Sequence, residues 1–233
     1  MRKTTILSLA AATFAAAAAL PAQAENVAFS GFANGSKTVT FTLSTPNVDK
    51  TATVSAGGFL TSLNGGPSFT SYCVDVYQTI AFGAPAYTEY SFAAPGSHLF
   101  ANGDAYGDLA RLYATAGVVS DALHEAAFQI AVWEIAYETD ATYSLSAGTA
   151  TFSGGTAASS GALTIASDWL TGLGTGTGPT IEVLESRLHQ DVIFAVPEPS
   201  TYLLMVMGLT GLTLVARRRA GATGSPARRH RAA

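Results

Sequence analysis

The chain has one cysteine, Cys73, so no disulfide can form within it and an apolar core must hold any fold together. Charge is equally sparse, at 12% Asp, Glu, Lys and Arg, and the cations are unevenly spread. Two of the twelve Lys and Arg sit at Arg2-Lys3 and six lie from Arg217 onward. Lys37, Lys50, Arg111 and Arg187 are left against sixteen acids, a net charge near −12 between residues 25 and 198. Such an acidic segment excludes phosphate neutralisation as a means of holding nucleic acid or anionic lipid. The four histidines, His98, His124, His189 and His230, lack ligand spacing, and no zinc or haem site and no cofactor site assembles from them. No internal repeat of fixed period is present.

Apolar runs are confined to the two ends. At the N-terminus, Arg2-Lys3, an Ala/Leu-rich run from Ile6 to Leu20, and Ala22-Gln23-Ala24 read as a secretory signal peptide. A signal peptidase would cut it after Ala24, within the small-x-small box of Ala22 and Ala24. At the other end Val196-Pro197-Glu198-Pro199-Ser200 precedes an uncharged run from Tyr202 to Ala216, then Arg217-Arg218-Arg219. The prolines keep the first segment extended and accessible. The fifteen apolar residues span roughly 22 Å as a helix, short of the roughly 30 Å hydrocarbon core. Thr201 and snorkelling arginines extend the run, so 201–216 is expected to span the inner membrane with the arginines cytoplasmic.

This three-part tail resembles the PEP-CTERM protein-sorting signal of Gram-negative bacteria. The resemblance implies a transient inner-membrane anchor, cleavage near Pro197-Glu198-Pro199 by an exosortase, and delivery to the cell surface or an extracellular matrix. The expected organisation is a signal peptide over 1–24, an ectodomain over 25–195, the sorting signal over 196–219, and a basic cytoplasmic tail over 220–233, longer than such signals commonly carry.

Within the ectodomain, residues 26–80 read as strands. Lys37 to Leu43 alternates, with Val39, Phe41 and Leu43 on one face. Asn34-Gly35-Ser36 is a hairpin turn signal, and Asn64-Gly65-Gly66-Pro67 marks another. A strand over 69–80 puts Tyr72, Val74 and Val76 on one face and Cys73, Asp75 and Tyr77 on the other. The period then changes. Residues 104–116 read as a helix stopped by Gly117, and 122–139 as a second helix capped by Ser120 or Asp121 and apolar nearly all round, hence buried. A Gly/Ser/Thr/Ala loop covers 144–161 with a short strand at 149–152, followed by a weaker helix over 162–170 and a Gly-Thr connector over 171–178. Two strands, 181–184 and 191–195, come directly before the sorting signal, and the last is expected to return to the first sheet. The fold class is α+β: an antiparallel β-sandwich or barrel subdomain with an inserted helical subdomain.

Gln129 lies mid-helix, about 40° around the axis from Trp133 at 100° per residue. A carboxamide in a buried helix needs a partner or a chemical purpose, since leaving it unpaired costs on the order of 1–3 kcal/mol. A thiol held against that carboxamide can displace ammonia and form an intramolecular thioester. Tyr72-Cys73-Val74-Asp75 on a strand and Phe128-Gln129-Ile130-Ala131-Val132-Trp133-Glu134 on a helix resemble the paired motifs of thioester domains in bacterial surface adhesins. Gln129, Ala131 and Trp133 keep that family's Gln-x-Ala-x-Trp run, while Phe128 stands where Thr or a similar residue is usual. The resemblance implies a cross-link between Cys73 and Gln129, walled by Tyr72, Asp75, Phe128 and Trp133. It would react with an amine or hydroxyl on a surface or matrix partner.

Other chemistry is weakly marked, and no turnover enzyme is expected. Cys73 with His98 or His124 lacks a hydrolase signature. Glu134 and Glu138, one helical turn apart, do not face each other as a glycosidase pair must, and a solvated or helix-terminal face accounts for them. Asp75 reads as a strand-end hydrogen bonder. The alternative to a reactive adhesin is a structural matrix component, sorted identically, in which Cys73 and Gln129 only pack.

Overall fold

In the computed structural model, the structure describes residues 24–196 apart from 45–48, 84, 95 and 141. The leader, the Pro-Glu-Pro segment, the 201–216 span and the basic tail expected from the sequence lie outside the described residues. Among the described residues no helix is long and apolar enough to cross a membrane.

Strands and helices are both present, and six strands close into an antiparallel barrel. In barrel order these are β1 (Glu25–Phe32), β4 (Phe59–Leu63), β5 (Ser68–Cys73), β9 (Val192–Ala195), β8 (Ile181–Glu185) and β6 (Tyr87–Phe92). The last strand does return to the first sheet, where β9 lies between β5 and β8. The β4–β5 hairpin turns at Asn64 and Gly65, whose φ values of 53° and 71° make a double left-handed pair at the centre of the Leu63–Gly66 turn, closed by the Gly66 N–H on the Leu63 carbonyl at 2.9 Å. A second sheet of three strands, in the order β3 (Asp49–Ala56), β2 (Lys37–Ser44) and β7 (Ala150–Ser153), stands apart from the barrel.

Asn34-Gly35-Ser36 is therefore not a hairpin. β1 pairs with β4 and β6, and β2 pairs with β3 and β7, so this turn carries the chain from the barrel to the second sheet. The reason lies in β2, whose Val39, Phe41 and Leu43 are buried as the alternation requires. The second sheet packs on the helices, so that apolar row finds its cover outside the barrel.

Helices α1 (Ala105–Ala116), α2 (Ala122–Tyr137), α3 (Gly155–Ser160) and α4 (Ala162–Thr171) fall between β6 and β8, with β7 among them. The 144–161 stretch thus holds a strand and a short helix rather than mostly loop. Asp121 caps α2, its side chain accepting from the Leu123 and His124 N–H groups at 2.9 and 3.0 Å. α2 packs against α1 and α4, against all three strands of the second sheet, and against β5 of the barrel. Enclosure on every side explains why each residue from Glu125 to Ala136 is buried and why the helix has no polar stripe.

Glu134 and Glu138 do not form a solvated face, because both are buried in the same enclosure. Glu138 is answered by the Thr139, Asp140 and Thr149 N–H groups at 2.8–2.9 Å. Glu134 accepts one N–H, from Ser144 at 2.6 Å, and its Oε2 has no partner. Burial, with Glu138 as a like charge nearby, pushes the Glu134 carboxyl up to about 8.

Candidate functional site at Cys73 and Gln129

β5 is shorter than the 69–80 strand expected and stops at Cys73. Asp75 accounts for the break: its Oδ1 accepts from the Tyr77 N–H at 2.7 Å, a local bond that competes with the ladder. Its role as a strand-end hydrogen bonder is the one its sequence position indicates. Tyr72 and Cys73, on opposite faces of β5, are both buried. The strand is covered on two sides, and each face meets different neighbours.

On one face Tyr72 packs at a tilt against Phe128 of α2, with centroids 4.4 Å apart, and edge-to-face with Tyr113 of α1 at 6.2 Å. Its hydroxyl donates to Glu125 Oε2 at 2.7 Å. Burial and the Glu125 charge both raise the Tyr72 pKa well above the phenol range. Glu125 also accepts from Asn34 Nδ2 at 2.7 Å and from the Gly58 N–H at 3.1 Å. This fully buried carboxylate thereby clamps the turn leaving β1 and the turn entering β4 onto α2. Gly58 must be glycine here, because a Cβ would lie 2.4 Å from Glu125 Oε2. Nothing in the sequence distinguished Glu125 from an ordinary acid in the first turn of a helix.

Cys73 and Gln129 meet, 56 residues apart in sequence. β4 follows β5 only as far as the Phe59–Ser71 pair, and the chain at Gly57-Gly58 leaves the ladder there. Two residues on, the edge β4 abandons exposes the N–H and C=O of Cys73, and Gln129 occupies it. Gln129 Oε1 accepts from the Cys73 N–H at 2.9 Å, and Nε2 donates to the Cys73 C=O at 2.8 Å. The carboxamide, 1% exposed, acts as a substitute peptide unit in the ladder. This arrangement satisfies both polar ends of Gln129 and puts its carbonyl carbon beside the cysteine, with a backbone N–H already on the oxygen where negative charge would develop.

The thiol donates to the Asp75 carbonyl at 2.9 Å. Desolvation pushes it up to about 12, partly offset by the Trp133 indole, so it is a neutral thiol at neutral pH. The Trp133 N–H lies near enough to favour the thiolate but makes no bond of hydrogen-bond geometry, and its Nε1 is without a partner. Cys73 and Trp133 line a cavity of about 430 Å³ between the barrel and the second sheet. Tyr72, Asp75 and Phe128 do not line it. Of the four walls expected for the cysteine, the structure therefore puts Trp133 in the cavity, Asp75 on the thiol through its carbonyl, and the Tyr72–Phe128 pair on the other face. Lys50 and Gln78, which the sequence did not single out, line the cavity instead. Their only advance sign was Lys50 being one of four cations in an acidic segment.

Among the described residues no histidine lines that cavity. His98 Nδ1 is 2.6 Å from Glu185 Oε1 and 4.0 Å from Asp191 Oδ2, and His124 Nδ1 is 2.6 Å from Asp121 Oδ2. Asp191, pushed up to about 6 chiefly by burial, accepts from the Ser186 N–H at 2.7 Å. These contacts tie the loop between β8 and β9 to the segment after β6.

Neither a curated protein nor a solved structure matches the chain. The likeness of the ectodomain to adhesin thioester domains thus has no support from comparison. A family model does match at the C-terminus, over residues 195–219, and it is the PEP-CTERM protein-sorting motif. That motif marks the chain as an exported protein, anchored in the membrane in transit and processed by an exosortase.

Proposed function

We propose that the exported ectodomain is a covalent-binding, adhesin-like surface domain that carries a Cys73–Gln129 thioester. The observation that supports this reading is the two-bond pairing of the Gln129 carboxamide with the Cys73 backbone, which holds the carboxamide on the residue that carries the chain's one thiol. The chemistry balances without a co-reactant. The Cys73 sulfur attacks Gln129 Cδ, and negative charge collects on Oε1 against the Cys73 N–H. The C–N bond then breaks, and Nε2 leaves as ammonia carrying the thiol proton. Apolar walls slow hydrolysis of the product, and an amine or hydroxyl of a surface or matrix partner later displaces the thiol, forming an amide or ester at Gln129. Exosortase sorting delivers the domain to the outer surface, where such a partner is met.

The intact mass of the processed protein recovered from the exporting cell tests this. The expected result is a mass lower than calculated by one ammonia, with methylamine adding to Gln129 and freeing Cys73. A full calculated mass, with Cys73 open to alkylation after unfolding, would sink the thioester. A second reading has its own observation in favour: the same two hydrogen bonds satisfy the carboxamide completely, as in an unreactive structural component of the matrix. Full mass together with loss of folding in Gln129→Met is the outcome that reading expects.

A further inference from the structure

The cavity that reaches Cys73 sits between two packed units, the barrel and the second sheet, where small-molecule sites are commonly found. Its volume of about 430 Å³ suits one or two rings, and its walls include Phe32, Phe41, Val54, Phe59, Ile80 and Phe82. Two of the lining residues, Trp133 and Gln78, each carry a buried polar atom without a partner, Nε1 and Oε1. Trp133 is only 4% exposed. Buried polar groups are ordinarily paired, so an orphan donor and an orphan acceptor on two residues of the same cavity wall need an explanation. A hydroxyl is the smallest group that answers both, because it accepts from an N–H and donates to a carbonyl.

Charge narrows the class further. Among the described residues no carboxylate lines the cavity, so a cationic ligand would enter without a counter-charge from them and beside Lys50. The Lys50 ammonium is already engaged, donating to the Val76 carbonyl and lying over the Tyr77 ring at 4.9 Å from its centroid. A neutral ligand disturbs neither arrangement.

We propose that this cavity reversibly binds a small neutral molecule with an apolar ring body and one hydroxyl, which accepts from Trp133 Nε1 and donates to Gln78 Oε1. The proposal does not rest on the thioester, since no bond to Cys73 is involved. Calorimetric titration of the processed protein with para-cresol, toluene and para-toluate tests it. Cresol should bind, and toluene should bind more weakly by roughly three- to tenfold, the factor a neutral hydrogen bond contributes. Trp133→Phe should bring cresol down to the level of toluene. Because that change is in the core, Gln78→Leu, at a partly exposed loop position, should independently narrow the gap. Equal binding of cresol and toluene, tighter binding of toluate, binding by none of the three, or a preference unchanged in Gln78→Leu would each overturn the proposal.

Discussion

Glu134→Gln should remove a pH dependence of stability that the wild-type chain carries. Glu134 is fully buried on α2, with one N–H donor on Oε1 and nothing on Oε2. Burial raises its folded-state pKa from the ordinary 4.5 to about 8, and Glu138 adds to the rise. Between those two values the folded chain holds a proton that the unfolded chain has released. Stability therefore falls as pH rises from about 4.5 to 8 and is lowered by a constant amount above that window. At about 1.4 kcal/mol per unit, this one group destabilises the fold by about 3 kcal/mol at pH 7 relative to acid. Glutamine keeps an acceptor for Ser144 and cannot ionise. The variant should equal the wild type near the acid edge of the window and exceed it by about 3 kcal/mol at pH 7. Urea unfolding followed by tryptophan fluorescence, at intervals across the window, measures the difference; other titrating groups cancel between the two chains. Parallel curves, with a gap that does not change with pH, would refute the argument and imply that water or a rearranged donor reaches Glu134.

Gln129→Met should keep volume but leave the Cys73 N–H and C=O unpaired, at roughly 1–3 kcal/mol each, read as a shift in the urea midpoint. Preserved stability would mean that the abandoned edge of β5 finds another partner. In the Gly-Thr connector Gly178 is the most confined glycine: an added Cβ would lie 1.8 Å from the Ala110 carbonyl oxygen, whereas at Gly176 it meets nothing within 4 Å. Gly178→Ala should thus cost about 3 kcal/mol or more by thermal melting and Gly176→Ala almost nothing, and equal effects would contradict the packing of this segment on α1. Replacing Pro197, Glu198 and Pro199 with alanine should leave full-length protein in the inner membrane on fractionation; normal release would count against exosortase processing at that segment.

Where a signal depends on residues close in sequence, it was legible in advance. The capped helix at Asp121, the Asn64-Gly65 hairpin and the alternation of β2 all appear as expected, because caps, turns and periodicity are local physics. Asn34-Gly35-Ser36 carried the same hairpin signal and was misleading, since a turn motif does not say which sheet its flanking strands join. Glu134 and Glu138 were misread for a related reason: one turn apart near the end of α2, they look like a solvated or helix-terminal face until the surrounding layers close over them.

Sequence alone determined the sorting address, whose order of prolines, apolar run and arginines is complete within 25 contiguous residues and matches the PEP-CTERM motif. It also marked Cys73 and Gln129 as a thiol and a buried carboxamide worth pairing. Only the tertiary structure decided how they meet. Their contact depends on β4 leaving the ladder at Gly57-Gly58, on α2 lying along the edge left open, and on the cavity that Trp133, Lys50 and Gln78 share with the thiol. Those residues come from five separated stretches of chain, and long-range packing, which no local pattern encodes, brings them together.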